Sequence, residues 1–413
     1  MTSALKRSVL ATAVATLVAA PAYATNGMNM DSFGAKAGGM GGASFAYDSG
    51  NSAVMNNPAT LALRKEGNNF GLGLTVLMPD VNANNFMGDP SADYSSGGDS
   101  YLMPSVSFIR KQGQFAYGFG VVAQGGMGTE YGVGDLMAPV EQRSELGFMR
   151  VMFPLAYQVN DALSVAGQID YVRGTLDIQQ VADMSGDGMP DAYIDVSDDS
   201  DFNGEMSGDG WAFKLGAHYK INNAWSIGAT YHSKTNIDDM TGSGTISDFM
   251  GNTAYAGEFR VKDFQWPETY GVGVAWNVSD KLMLAADIKR LKWSESMKDF
   301  TFGPKGMEMT APQDWDDQTV YMIGAQYMIT PTVALRAGFN YAENPVPDST
   351  LNYLFPAIVE QHYTLGVGWN IGGGHTLAAS VAYAPEVEQD STLMPVTMTH
   401  SQTTWRVNYN YNF

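Results

Sequence analysis

From residue 69 onward, apolar side chains fall on every second position. Trp211, Phe213, Leu215, Ala217, Tyr219 and Ile221 alternate with Ala212, Lys214, Gly216, His218 and Lys220, so a strand there has one apolar face and one small or polar face. The same phase returns in Tyr270, Val272, Val274, Trp276 and Val278, in Val333 to Tyr341, and in Tyr363 to Ile371. About fourteen segments carry it, near 69–78, 101–110, 115–124, 146–159, 162–175, 208–221, 224–234, 267–278, 282–293, 318–329, 332–343, 360–371, 375–385 and 402–413. The links between them alternate in length. Asn222-Asn223, Ser279-Asp280, Thr330-Pro331 and Gly372-Gly373-Gly374 make turns, whereas 79–100, 176–207, 235–266, 294–317, 344–359 and 386–401 are long. Short turns at one rim and long loops at the other predict an all-β fold, a transmembrane antiparallel β-barrel of about 14 strands.

A soluble β-sandwich shares the alternation, and the C-terminus argues against it. In TTWRVNYNYNF, Trp405, Val407, Tyr409, Tyr411 and the terminal Phe413 occupy one face of a strand. Aromatics at strand ends suit the interfacial girdles of a membrane barrel. A last strand ending on Phe resembles the signal that hands bacterial barrels to the outer-membrane assembly machinery, the partner expected here together with outer-membrane lipids. The N-terminus agrees. Lys6 and Arg7 precede an apolar run from Val9 to Ala20 and the small-x-small step Ala22-Tyr23-Ala24, which reads as a signal peptide over residues 1–24. That run is short of the ~20 residues of a membrane helix. The expected location is the outer membrane of a Gram-negative bacterium.

Composition narrows the function. Forty-three acids against 23 bases give a net charge of -20, which argues against nucleic acid as a partner. With no cysteine, packing and backbone pairing hold the fold. Residues 38–63, GGMGGASFAYDSGNSAVMNNPATLAL, contain a single charge. They are too small-residued for a core of their own and too apolar for a solvated tail. A barrel of this width has a lumen to fill, so residues 25–62 are expected to form an N-terminal plug, or hatch, and 63–413 the barrel.

The Asn57-Pro58-Ala59 step, the Trp266-Pro267-Glu268 step entering a strand, the Lys292-Trp293-Ser294 strand end, the Asn344-Pro345-Val346-Pro347 loop and the aromatic C-terminus occur in order along the mature chain. Together they resemble the FadL-type outer-membrane transporters of long-chain fatty acids and aromatic hydrocarbons. The resemblance implies a fourteen-stranded barrel with a hatch, capture of a hydrophobic ligand among outer loops, and sideways release through the wall after the hatch moves. It gives Asn57, Pro58 and Ala59 a gating role, long-chain fatty acids as the first expected substrate and toluene-like hydrocarbons as the second. The family often has a basic residue where 356–363 enters its strand. Gln361 stands here, so the resemblance supplies no carboxylate contact.

Four further features bear on function. Arg150, Arg173, Lys289, Arg290, Arg336 and Arg406 lie on or near strands, where any could meet a carboxylate. Met297, Met307, Met309, Met394 and Met398 fall in outer loops and could supply adaptable apolar contacts. Residues 183–209 hold nine acids and no base, and Asp183, Asp187 and Asp191, with Gly188, have the spacing of the first half of a calcium loop. The bidentate Glu that would complete it is absent, with Ile194 in its place; structural calcium is the only cofactor to consider. None of the five histidines sits beside a nucleophile in a recognisable motif, so no enzyme is expected. A general porin would need an open lumen, and a structural or adhesin barrel would need no hatch.

Overall fold

The computed structural model describes residues 26–413 apart from 187, 188, 199 and 201–203; the expected signal peptide lies outside them. The strands are β1 (Gly67–Asn84), β2 (Asp93–Ser95), β3 (Tyr101–Gln112), β4 (Phe115–Tyr131), β5 (Gln142–Gln158), β6 (Leu163–Ala182), β7 (Ala192–Val196), β8 (Met206–Lys220), β9 (Trp225–His232), β10 (Asn236–Ile237), β11 (Met240–Ser247), β12 (Thr253–Lys262), β13 (Thr269–Asn277), β14 (Leu282–Leu291), β15 (Asp299–Pro304), β16 (Met309–Pro312), β17 (Gln318–Met328), β18 (Val333–Ala342), β19 (Gln361–Gly372), β20 (His375–Ser391) and β21 (Val396–Asn412).

Antiparallel pairing runs β1–β3–β4–β5–β6–β8–β9–β13–β14–β17–β18–β19–β20–β21 and closes from β21 back onto β1, from Asn69↔Asn412 to Asn84↔Thr397. Among the described residues sixteen strands are eight residues or longer, not the expected fourteen or so. Fourteen of them form this ring, and the other two, β11 and β12, pair with each other above β8. The 235–266 link, expected to be a loop, is therefore largely a hairpin that lengthens the wall at the outer rim. In MTGSGTIS of β11 one face carries only Thr241, Ser243, Thr245 and Ser247, and the other turns Met240 and Ile246 into the core on either side of Gly242 and Gly244.

Burial follows the alternation with inside and outside exchanged relative to a soluble protein. In β8, Trp211 is 57% exposed and Leu215 50%, whereas Lys214 and His218 are each 4% exposed. A sandwich would bury the first pair; a barrel in lipid presents them to acyl chains. The aromatics expected near the turn rim pair up there, Trp225 stacking on Trp276 at 5.0 Å and Tyr411 on Phe413 at 4.9 Å.

Residues 26–63 are mostly buried and contain one short helix, α1 (Ala35–Gly38), and two 3-10 turns. They bond to strands all round the ring. Ala35 N donates to Asn408 Oδ1 on β21 at 2.5 Å, Gly41 N to Thr364 Oγ1 on β19 at 2.9 Å, and Ser44 N and Phe45 N to Asp287 Oδ2 on β14 at 2.6 and 2.9 Å. Ser164 Oγ on β6 donates to Ala59 O at 3.1 Å, and Asn51 Nδ2 to Ser107 Oγ on β3 at 3.0 Å. Wall glycines admit the segment: a Cβ on Gly338 would lie 2.1 Å from Gly41 N, and one on Gly228 1.8 Å from Phe45 O.

Candidate functional site

Under the outer loops lies an apolar cavity of about 220 Å³. Four phenylalanines, Phe264, Phe300, Phe302 and Phe355, and four methionines, Met28, Met127, Met297 and Met309, make up most of its lining, with Leu146, Leu176 and Ile178 from β5 and β6. Its polar groups are the uncharged Gln180, Gln313 and Asn352; no ionisable side chain is present among the described lining residues. Of the loop methionines singled out in the sequence, Met297 and Met309 line the cavity, Met307 is exposed, and Met394 and Met398 pack into the core.

Met28 places this cavity next to a break in the wall. Strand β3 pairs with β4 only from Gln112↔Phe115 to Val106↔Val121, although β3 continues to Tyr101 and β4 to Tyr131. Beyond Val121 the register of β4 against β5 slips at Ala123/Gly125, and such a bulge turns the strand away from its neighbour. The upper end is bridged again, Gly97 N donating to Glu130 O at 2.7 Å. Between these points the N-terminal segment takes the place of β3. Asn29 pairs with Gly125, Gly126 N donates to Met28 O at 3.1 Å, and Met30 N to Gln124 O at 3.4 Å. Gly125 allows this approach, since a Cβ there would lie 2.1 Å from Met28 O.

The cavity, the buried N-terminal segment and the interrupted wall are the setting for comparison with known proteins. The family model described as outer membrane protein transport protein (OMPP1/FadL/TodX) matches residues 11–412. The chain belongs to this family. Among solved structures, the toluene transporter TodX of P. putida shares 27% identity at a TM-score of 0.82, over 93% of this chain and 99% of that one. The toluene transporter TbuX of Ralstonia pickettii shares 30% at a TM-score of 0.78, with the same coverage. An uncharacterized protein of Chlorobium limicola is 52% identical over 89 residues, and the match spans 21% of this chain and 44% of that protein. Family and fold together place the barrel in the outer membrane and among transport channels rather than enzymes.

Within this transport barrel, Asn57, Pro58 and Ala59 are neither at the cavity nor at the wall break. Asn57 Oδ1 accepts from Ala59 N at 3.1 Å and caps the 3-10 turn Pro58–Leu63, with Pro58 in its first position. Asn57 Nδ2 donates to Phe45 O at 2.8 Å and to Ala217 O on β8 at 2.9 Å. The three residues thus fasten the segment to β6 and β8.

Most basic candidates are bound into the wall. Arg150 meets Asp170 at 3.5 Å, Arg173 meets Asp209 at 3.1 Å, Arg290 meets Asp317 at 3.3 Å, and Arg406 pairs with Asp31. Arg336 donates to Gln326 Oε1 at 2.8 Å. Lys289 instead faces a separate polar pocket of about 50 Å³ that it shares with Asp31, Lys214 and His232. In the acidic loop, Asp183 Oδ1 accepts from Gly186 N at 2.6 Å and Asp191 Oδ1 from Met184 N at 2.8 Å. Asp187 and Gly188 lie outside the described residues, among which no acid or histidine cluster fit for a metal occurs.

Sequence reasoning did not find Phe264, Phe300, Phe302 and Phe355, nor the β4 bulge. The GGMG run at 125–128 is the one signal that marked the bulge in advance.

Proposed function

We propose that the barrel carries small uncharged hydrophobic compounds, monoaromatic hydrocarbons first, across the outer membrane. The compound settles in the cavity lined by Phe264, Phe300, Phe302 and Phe355, residues 25–62 act as the hatch, and the Met28–Met30 stretch moves away from β4 to let it leave sideways into the bilayer. The observation that carries this reading is the cavity's composition: apolar and aromatic, with no charge, at about 220 Å³. A dry apolar cavity of about 150 Å³ suffices for benzene in another protein. A carboxylate brought into such surroundings would be desolvated without a partner. The toluene transporters of similar structure agree. Sideways release has its own physical support, because entry into lipid spares the compound rehydration at about 0.8 kcal/mol per CH₂.

The second reading is the long-chain fatty acid expected first from sequence. Lys289 favours it, as a buried ammonium facing a pocket. In this reading Asn57, Pro58 and Ala59 keep their part in gating as the fixed end of the hatch. Calorimetry with the detergent-solubilised barrel separates the two. Toluene binding weakened by Phe302→Glu supports the first; oleate binding weakened by Lys289→Met, with no heat from toluene, replaces it with the second.

A further inference from the structure

Three indoles form an edge-to-face column below the outer loops. Trp266 precedes β13, Trp293 opens the short helix α2 (Trp293–Ser296) after β14, and Trp315 precedes β17. Their centroids are 5.6 Å apart from Trp266 to Trp293 and 5.5 Å from Trp293 to Trp315, and none is more than 2% exposed. All three Nε1 atoms lack a hydrogen-bond partner. A buried indole N–H ordinarily finds one, so packing is what holds these rings in place.

The column touches both the cavity and the wall break. Met297, in the cavity lining, donates its N to Trp293 O at 2.7 Å and accepts from Trp315 N at 3.1 Å. Phe264, also in the lining, stacks on Phe148, whose ring lies 4.7 Å from Trp266. At the wall break, Asn26 and Asn29 close a tight turn through N→O bonds of 2.8 and 3.2 Å, with Gly27 at φ 62°. A Cβ on Gly27 would lie 2.9 Å from Trp293 Nε1, and one on Gly125 2.9 Å from Trp266 Cη2. Trp293 therefore packs on the turn while Trp266 packs on the bulge that the turn covers.

We propose that Trp293 is the positioning residue that holds the Asn26–Asn29 turn against β4, and that a compound in the cavity acts on the turn through Met297 and Trp293. The second clause rests on the transport reading above; the first does not. Met297 is tied by backbone bonds on both sides, so a compound that displaces it carries Trp293 with it. The cavity's occupant then loosens its own exit.

The chain has no cysteine, so Met28→Cys gives a single site whose reaction with a methanethiosulfonate reports the turn. Trp293→Ala is expected to raise that rate about tenfold, the effect of roughly 1.4 kcal/mol of lost packing. Gly27→Ala perturbs the same contact from the other side and is expected to raise it too, which covers a failure of Trp293→Ala to fold. Leu351→Ala, as deeply buried but outside the column, leaves the rate unchanged, and so does Trp293→Ala for a cysteine at Ala46. Equal rates in parent, Trp293→Ala and Gly27→Ala, or an equal rise with Leu351→Ala, overturn the positioning role. Added toluene is expected to raise labelling in the parent and not further in Trp293→Ala. No response to toluene in the parent overturns the coupling and leaves the positioning role standing.

Discussion

Replacing Gly125 by alanine is expected to lift the Asn26–Asn29 turn off β4. The new methyl would sit 2.1 Å from Met28 O, and ordinary contact begins near 3.4 Å, so one backbone must retreat by about 1.3 Å. Strand β4 is held on its other side by pairing to β5 from Phe115↔Tyr157 to Tyr131↔Gln142, whereas the Asn26–Asn29 turn meets β4 through a single bridge at Gly125. The turn is therefore the part that yields. Its retreat breaks the bonds from Gly126 N to Met28 O and from Met30 N to Gln124 O. At about 1 kcal/mol each these sum to about 2 kcal/mol, a shift of roughly thirtyfold toward the displaced state. The assay is toluene uptake by cells that lack other aromatic porters, with parent and variant at equal surface levels. Uptake should rise severalfold, with single-channel conductance rising as the wall break is uncovered. Unchanged uptake and conductance, with the variant folded as a heat-modifiable barrel, would refute the reasoning.

Asn57→Ala removes the cap on Ala59 and the bonds to Phe45 O and Ala217 O. The loss is about 2–4 kcal/mol of local stability, and hydrogen exchange should quicken over residues 45–62 while the wall strands stay protected. The outer loop carries a pH-dependent clasp. Burial pushes the Asp317 carboxyl up, but hydrogen bonds from Lys292 and Ser294 outweigh it and hold the group below its ordinary 3.8. A depressed carboxyl stabilises the clasp above its unfolded-state value and loses that contribution as pH falls through the folded one. Trp315 emission should stay constant from neutral pH down to about 4 and shift to the red below; in Asp317→Asn the shift should already be present at neutral pH.

The wall was legible in the sequence because lipid enforces a strict period of two: Trp211, Phe213, Leu215 and Tyr219 of β8 face outward where the alternation placed them, and so do Tyr270 and Val272 of β13 and Tyr363, Leu365, Val367 and Trp369 of β19. The β11–β12 hairpin was not, because its inward face is marked in β11 by Met240 and Ile246 alone, with Gly242 and Gly244 between them, too sparse a signal for period two to stand out. The N-terminal segment was expected to fill the lumen because of its small residues, and a Cβ on Gly228, Gly324 or Gly338 of the wall would meet Phe45 O, Met40 O or Gly41 N of that segment. The cavity resisted reading for a different reason. Its phenylalanines come from the approach to β13, from β15 and from the 343–360 loop, and only the fold brings them together. The break between β3 and β4 is a matter of where pairing stops, which side-chain periodicity does not encode.

The central claim is that hydrophobic compounds cross through the phenylalanine-lined cavity. Its most direct test is toluene uptake by cells expressing Phe302→Glu, which puts a carboxylate into an uncharged lining from β15, a strand outside the fourteen-strand ring. Uptake is expected to fall to the level of cells without the barrel, at normal surface expression. Uptake equal to that of the parent would contradict the claim.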